Sequence, residues 1–221
     1  MAFLLPHSVF IHSPKTGGQW VVRTLEKSGL IVGKLGVVHT SPAEVFHELA
    51  FQQRKFVFTM VRHPLSWYQS MWTHRVDENW IPINAPEWFT PHWVETWAEF
   101  TRHCRADRFD EFIYKCTSHF PDGYVSMLYG SYTEGCSYVG KQERLVESLL
   151  TALRLSGEQF QEQQICSTPP RNVRARRPSR LLQCMYTSDL VDIVMKTEAW
   201  AIEKFDYQDL PQGVMPESIH I

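Results

Sequence analysis

The run Lys55-Phe56-Val57-Phe58-Thr59-Met60-Val61 constrains the fold more than any other stretch of the chain. It is continuous, apolar and β-branched, with no alternation of polar and apolar positions. A strand with one face in water alternates with period two, whereas a strand buried on both faces does not. Strands of the second kind belong to parallel sheets covered by helices, and parallel strands need crossover connections. The preceding residues supply them. Residues 8–11 are a short β-branched and aromatic run ending in the loop SPKTGG, and residues 20–27 carry a helical pattern stopped by Ser28-Gly29. Residues 31–38 predict a second strand, weakened by Gly33 and Gly36. Ser41-Pro42-Ala43-Glu44 joins a capping box to a Pro at the first helical position and predicts a helix to residue 53. Pro64 predicts the first turn of another helix over 65–74. Strand and helix alternate three times in 75 residues, so the predicted class is α/β, a parallel β-sheet flanked by helices.

Residues 76–136 break that rhythm. They hold helical pieces beginning near Thr90-Pro91 and near Asp107, and read as a helical Trp-rich insertion within a single domain spanning 1–221. Residues 138–140 end a further strand, 143–155 are an amphipathic helix closed by Ser156-Gly157, 161–180 read as a loop, and 187–205 as a final helix. A chain of 221 residues buries about 70% of its unfolded surface and needs no staple to fold. The five Cys are odd in number and show no CxxC spacing, which points to free thiols in a reducing compartment rather than disulfides or zinc. No apolar run reaches the roughly 18 residues of a membrane span. The start, MAFLLPHSVFIHS, lacks the basic region of a signal peptide. The expected location is cytoplasmic, in soluble form.

Two segments carry chemistry. Ser13-Pro14-Lys15-Thr16-Gly17-Gly18-Gln19-Trp20 joins a predicted strand to a predicted helix. Two Gly permit close backbone approach, the helix N-terminus offers N–H groups and a positive dipole end, and Lys15 adds a full charge. These are the parts of a cradle for phosphate or sulfate. An ordinary tight turn with a solvated Lys is the other reading. The order differs from a Walker A loop, which places Lys after the second Gly. The second segment is Val61-Arg62-His63-Pro64-Leu65-Ser66-Trp67-Tyr68-Gln69-Ser70. Arg62 falls at the carboxyl end of a strand, where open α/β sheets bind ligands, and an Arg can hold a phosphate bidentately. Ser70 adds a hydroxyl from the first two helical turns. Taken singly, Arg62 can be a surface residue and Ser70 a packing residue. Together with the loop they suit a nucleotide carrying phosphates at both ends.

On these residues the chain resembles the sulfotransferases that use 3′-phosphoadenosine-5′-phosphosulfate (PAPS). His12-Ser13-Pro14-Lys15-Thr16-Gly17-Gly18 is similar to that family's 5′-phosphosulfate loop, in the form found in carbohydrate sulfotransferases. Arg62, Pro64 and Ser70 are similar to its 3′-phosphate motif. Tyr138-Val139-Gly140-Lys141-Gln142-Glu143, and the segment ending Glu203-Lys204-Phe205-Asp206-Tyr207, resemble two further blocks. The Trp-rich middle is covered poorly. Gln19 stands where the family has Thr or Ser; its amide can still donate a hydrogen bond. The resemblance implies a P-loop-like sheet and sulfuryl transfer from PAPS to an acceptor hydroxyl on a glycan or small molecule. It implies adenosine 3′,5′-bisphosphate as product and no metal. Lys15 would stabilise the leaving phosphate oxygen, the N–H groups of Gly17 to Trp20, with Thr16, would hold the 5′ end, and Arg62 with Ser70 the 3′-phosphate.

An acceptor hydroxyl needs a base. His39 follows the second predicted strand, and an unperturbed His titrates in a range that suits a general base; with ten His in the chain, a structural or solvated role is equally open. Glu44 and Glu48 are weaker candidates. Of the eight Trp, six fall between Trp67 and Trp97. Trp67, Trp93 and Trp97 sit at helical spacing and read as core, while Trp80 and Trp88 read as a substrate lid. The 22 basic and 24 acidic residues net −2, which excludes a uniformly basic nucleic-acid-binding surface. Residues 171–180 nonetheless hold five Arg, leaving −7 for the rest. That segment reads as a solvated loop, a clamp over bound nucleotide, or a patch for an acidic acceptor. The rival functions are a nucleotide kinase-like phosphotransferase and a non-catalytic nucleotide or nucleic-acid binder.

Overall fold

The structure is a computed structural model that describes residues 1–36, 41–43, 56–80, 92–169, 183–211 and 214, with the backbone alone for 92–96. In chain order come β1 (Ala2–Leu4), β2 (Ser8–Ile11), α1 (Gly18–Lys27), β3 (Gly33–Leu35), β4 (Phe56–Val61), α2 (Pro64–Asp77), α3 (His92–Cys104), α4 (Phe109–His119), α5 (Tyr124–Thr133) and β5 (Tyr138–Lys141). A 3-10 turn, Gln142–Arg144, leads into α6 (Leu145–Leu155), followed by α7 (Glu162–Cys166), α8 (Ser188–Thr197) and α9 (Ala199–Lys204). The chain divides into two compact units, Met1–Arg62 with Leu128–Val173, and His63–Met127 with Arg174–Ile221.

The first unit is α/β, built on a five-stranded sheet in the order β3-β1-β2-β4-β5. β2, β4 and β5 are parallel, as the apolar run of β4 requires. β1 is antiparallel to both its neighbours, so the wholly parallel sheet expected from the sequence is corrected to a mixed one. The reason is local. Only three residues separate β1 from β2, and so short a connection can join strands only as a hairpin. A three-residue strand is too short to show a period, which hid β1 in the sequence. β3 is also shorter than predicted, since Gly36 turns the chain at φ 64°. Because β1 reverses direction and β3 reverses it again, β3 runs the same way as β2. Ala2 lies opposite both Ile11 and Leu35. The carboxyl ends of β3, β2 and β4 thus reach one edge of the sheet.

Alternation then assigns the two faces. Phe3, Leu5, Phe10, Phe58 and Met60 pack under Trp20, Val21 and Leu25 of α1 and Leu149, Leu150 and Leu153 of α6. Ala2, Leu4, Val9, Ile11 and Val57 form the other face with Tyr132 of α5. Full burial of a side chain such as Phe10 or Phe58 contributes about 1.5–3 kcal/mol. α6 lies directly on β5, since a Cβ on Gly140 would stand 2.5 Å from Met60 Sδ and 2.7 Å from Ser148 Cβ. At the opposite edge, Glu158 Oε1 accepts from the His7 N–H and the Ser8 hydroxyl and ties down the hairpin. α7 falls in the predicted loop; its single buried apolar residue, Ile165, gives no periodic signal.

The second unit is helical around an aromatic core. Phe100 packs tilted at 4.4 Å from Tyr124, Trp72 lies 5.6 Å from Phe109, and Trp67 lies 5.6 Å from Tyr124. Trp67 and Trp97 are buried, in accord with their helical spacing. Trp80, expected at a lid, is corrected to core: it is 3% exposed and packs 5.9 Å from Phe112, with the Arg75 guanidinium over its ring. Trp88 and the Trp93 side chain lie outside the described residues. The predicted final helix is two helices, α8 and α9, that meet at Glu198. The Glu198 carboxylate accepts from the Tyr68 hydroxyl, the Val125 N–H, and both the N–H and hydroxyl of Ser126, so it caps the start of α5. Among the described residues, no helix is long and apolar enough to cross a membrane.

Candidate functional site

The carboxyl end of β2 sets the site. Beyond Ile11 the chain turns at Pro14–Gly17, with Lys15 at φ 63° and Gly17 at φ 84°. The Thr16 hydroxyl closes the turn by donating to the Ser13 carbonyl at 2.9 Å. α1 starts at Gly18 with Gly17 as a left-handed cap and without a side-chain capping bond. The N–H groups of Trp20 and Val21 both point to the Gly17 carbonyl. Those of Gly18 and Gln19 have no acceptor within the helix. Segment 12–20 carries Lys15 and no acid, so the dipole end and the ammonium act with the same sign. The Ser13 hydroxyl is buried and has no hydrogen-bond partner among the described residues.

Each Gly is demanded by a different neighbour. A Cβ on Gly17 would fall 2.7 Å from Leu145 Cδ2 and 3.3 Å from Gln142 Cγ, besides the strain of its positive φ. A Cβ on Gly18 would fall 1.9 Å from His12 Cδ2, because the imidazole lies across the helix start. His12 in turn stacks on buried Phe10, with centroids 6.2 Å apart and planes at 19°.

Arg62 stands one residue past β4, on the same edge as the loop. Its Nη1 donates to the Lys15 carbonyl at 3.3 Å. Tyr129 fixes its main chain: the hydroxyl accepts from the Arg62 N–H at 2.9 Å and donates to the Arg62 carbonyl at 2.7 Å. Sequence reasoning missed Tyr129, one of several aromatics in an apolar helix, whose role depends on a partner 67 positions away. The block Tyr138–Lys141 with Gln142 borders the loop through the Gln142 contact at Gly17.

No family model, curated protein or solved structure matches the chain. What the site can do follows from its own chemistry.

The structure thus brings Lys15, Thr16, Gly17, Gly18, Gln19, Trp20 and Arg62 to one edge of the first unit. The roles within that set differ. Lys15 is half-buried, Thr16 is buried and spends its hydroxyl on the turn, and Trp20 is core. The Trp20 amide donates to Gly17 and its indole Nε1 to the Thr168 carbonyl at 3.3 Å. The exposed Gln19 side chain lines a groove with His12 and Arg23. Ser70 belongs to the second unit, half-buried on the second turn of α2. His39, Glu44, Glu48 and the Arg-rich residues 171–180 lie outside the described residues. β3, the strand before His39, ends at Leu35 level with Ile11. A strand-end loop that carries a lysine, opens a helix N-terminus and is met by a guanidinium is suited to a phosphate or sulfate group.

Proposed function

We propose that the chain is a PAPS-dependent sulfotransferase with a P-loop-like site at the carboxyl edge of its sheet. The observation that carries this reading is the bond from Arg62 Nη1 to the Lys15 carbonyl. It joins two motif segments 47 positions apart in the sequence. The loop from Lys15 to Gly18 and the amide of Gln19 would hold the 5′-phosphosulfate, and Arg62 the 3′-phosphate. An acceptor hydroxyl oxygen attacks sulfur, and the new S–O bond forms as the bond from sulfur to the 5′-phosphate oxygen breaks. The electron pair stays on that phosphate, where the Lys15 ammonium offsets the developing charge. The acceptor proton passes to a base, a role we assign to His39. The products are a sulfated acceptor, a glycan or small-molecule alcohol, and adenosine 3′,5′-bisphosphate. The kinase alternative is weaker, because the residues that follow β2 and β4 are His12 and Arg62 rather than an acid to hold Mg²⁺.

The test is thermal protection. Adenosine 3′,5′-bisphosphate at a hundred times its Kd adds about 2.7 kcal/mol, or roughly 5–10 °C for a chain of this size. ATP should add little. Lys15→Ala and Arg62→Ala should abolish the shift, and His39→Ala should keep it while losing sulfate transfer. Equal protection by ATP, independent of Mg²⁺, would refute the reading in favour of a generic nucleotide binder.

A further inference from the structure

A groove of about 370 Å³ runs along the flank of α1, lined by Phe3, His12, Gln19, Val22, Arg23 and Glu26. Its volume lies within the roughly 300–1,000 Å³ of small-molecule sites. Gln19, Val22, Arg23 and Glu26 recur at i, i+3, i+4 and i+7 and so share one helix face. His12 and Gln19 mark the end nearest the loop. Phe3 and Val22 supply apolar surface between.

The charges within the groove do not cancel. Arg23 is half-buried and makes no ion pair or hydrogen bond through its side chain among the described residues. The nearest acid in sequence, Glu26, is paired with Lys34 at 3.8 Å. Lys34 also stands 5.6 Å from the centre of the Phe3 ring, so the Lys34–Glu26 pair closes the far end and leaves Arg23 as the uncompensated charge. A partly buried guanidinium with no carboxylate partner among the described residues is suited to an oxyanion brought by a ligand, which it can hold with two parallel hydrogen bonds.

We propose that this groove binds a small hydroxylated acid of sugar size. The carboxylate of the ligand pairs with Arg23, its ring lies along Val22 beside the buried Phe3, and its hydroxyls face His12 and Gln19 at the loop end. Under the sulfotransferase reading, on which this step rests, that molecule is the acceptor. Gln19 then has a use of its own: the side chain that departs from the family's loop pattern faces the acceptor groove.

The test titrates the full chain with D-glucuronate, D-glucose and inorganic sulfate, followed by chemical-shift changes or calorimetry, in wild type, Arg23→Gln and Arg23→Lys. Glucuronate should bind at least ten-fold more tightly than glucose. Arg23→Gln should reduce it to the level of glucose, and Arg23→Lys should retain an intermediate affinity. Glucuronate binding no tighter than glucose, or unchanged in Arg23→Gln, overturns the proposal. So does sulfate binding as tightly as glucuronate, which would mark a bare anion site. Adenosine 3′,5′-bisphosphate titrated into the same samples separates the two readings. Arg23-dependent glucuronate binding without bisphosphate binding supports the groove and refutes the sulfotransferase.

Discussion

Gly18→Ala tests how the loop is held. The added Cβ would stand 1.9 Å from His12 Cδ2 and 2.3 Å from His12 Nε2, far inside the roughly 3.5–4.0 Å optimum between heavy atoms. The ring must swing away, and doing so breaks its stack on Phe10. Overpacking of this kind costs about 1–3 kcal/mol. An opposing term comes from the helix, where Ala is better than Gly by up to about 1 kcal/mol. The net expectation is a loss of up to about 2–3 kcal/mol in the wild-type background. In a His12→Ala background the clash is gone and only the helix gain remains, so the same substitution becomes neutral or stabilising. Urea unfolding of the four proteins in a double-mutant cycle reads this directly. The expected coupling is about 1–3 kcal/mol, with a reversal of sign. Additive effects, within about 0.5 kcal/mol, would refute the placement of His12 over the helix start.

Tyr129→Phe removes the one hydroxyl that serves both the N–H and the carbonyl of Arg62. It should lower stability by about 1–3 kcal/mol and, under the proposed function, weaken bisphosphate binding as the Arg62 main chain loses its anchor. Urea midpoints and calorimetry check both, and unchanged values in both would remove Tyr129 from this role. Glu198→Gln puts an amide NH₂ where one carboxylate oxygen now accepts hydrogen bonds, for an expected loss of about 2–4 kcal/mol in urea unfolding. Burial holds the Glu198 carboxyl above the usual range, against the pull of its donors from Tyr68, Ser126 and Val125. The folded state therefore keeps that proton longer than the unfolded chain. Its stabilising share is complete below the ordinary glutamate range and is lost as pH rises through the raised value. Unfolding measured across that window should show stability falling with pH in wild type and a flatter profile in Glu198→Gln; equal slopes would contradict the assignment.

The parts of the fold legible in the sequence are those whose signal is local. The unalternating run of β4 announces a doubly covered strand, and Pro64 marks the start of α2 to the residue. The loop 13–18 is legible because Gly, Lys and a strand–helix junction coincide within a few positions. What the sequence withheld depends on distant partners. β1 is strand only because β2 and β3 flank it. Trp80 is core only because Phe112 and Arg75 close around it. Glu198 looks like one more acid on an amphipathic helix, yet its carboxylate finds donors more than 70 positions away. Tyr129 and the groove beside α1 are of the same kind. A hydroxyl that anchors an Arg main chain, or a guanidinium left without an acid among the described residues, is a fact of three dimensions.

The loop is assembled by the parallel strands jointly. β2 leads into His12, whose ring demands Gly18; β4 leads into Arg62, which holds the Lys15 carbonyl; β5 runs into Gln142 and Leu145, which demand Gly17. Each strand's carboxyl end thus contributes one wall, and their registers fix where the walls meet. Slipping any strand by a single residue would turn its side chains to the other face of the sheet and take its wall away. Ordering a backbone residue costs about 1–2 kcal/mol. In this arrangement that cost is met when the sheet folds, so under the proposed function an anion would meet groups already placed and little of its binding energy would be diverted to arranging them. The same logic explains why the loop needs no side-chain cap at α1. The positive end of the helix is kept open by the neighbours that hold it in shape.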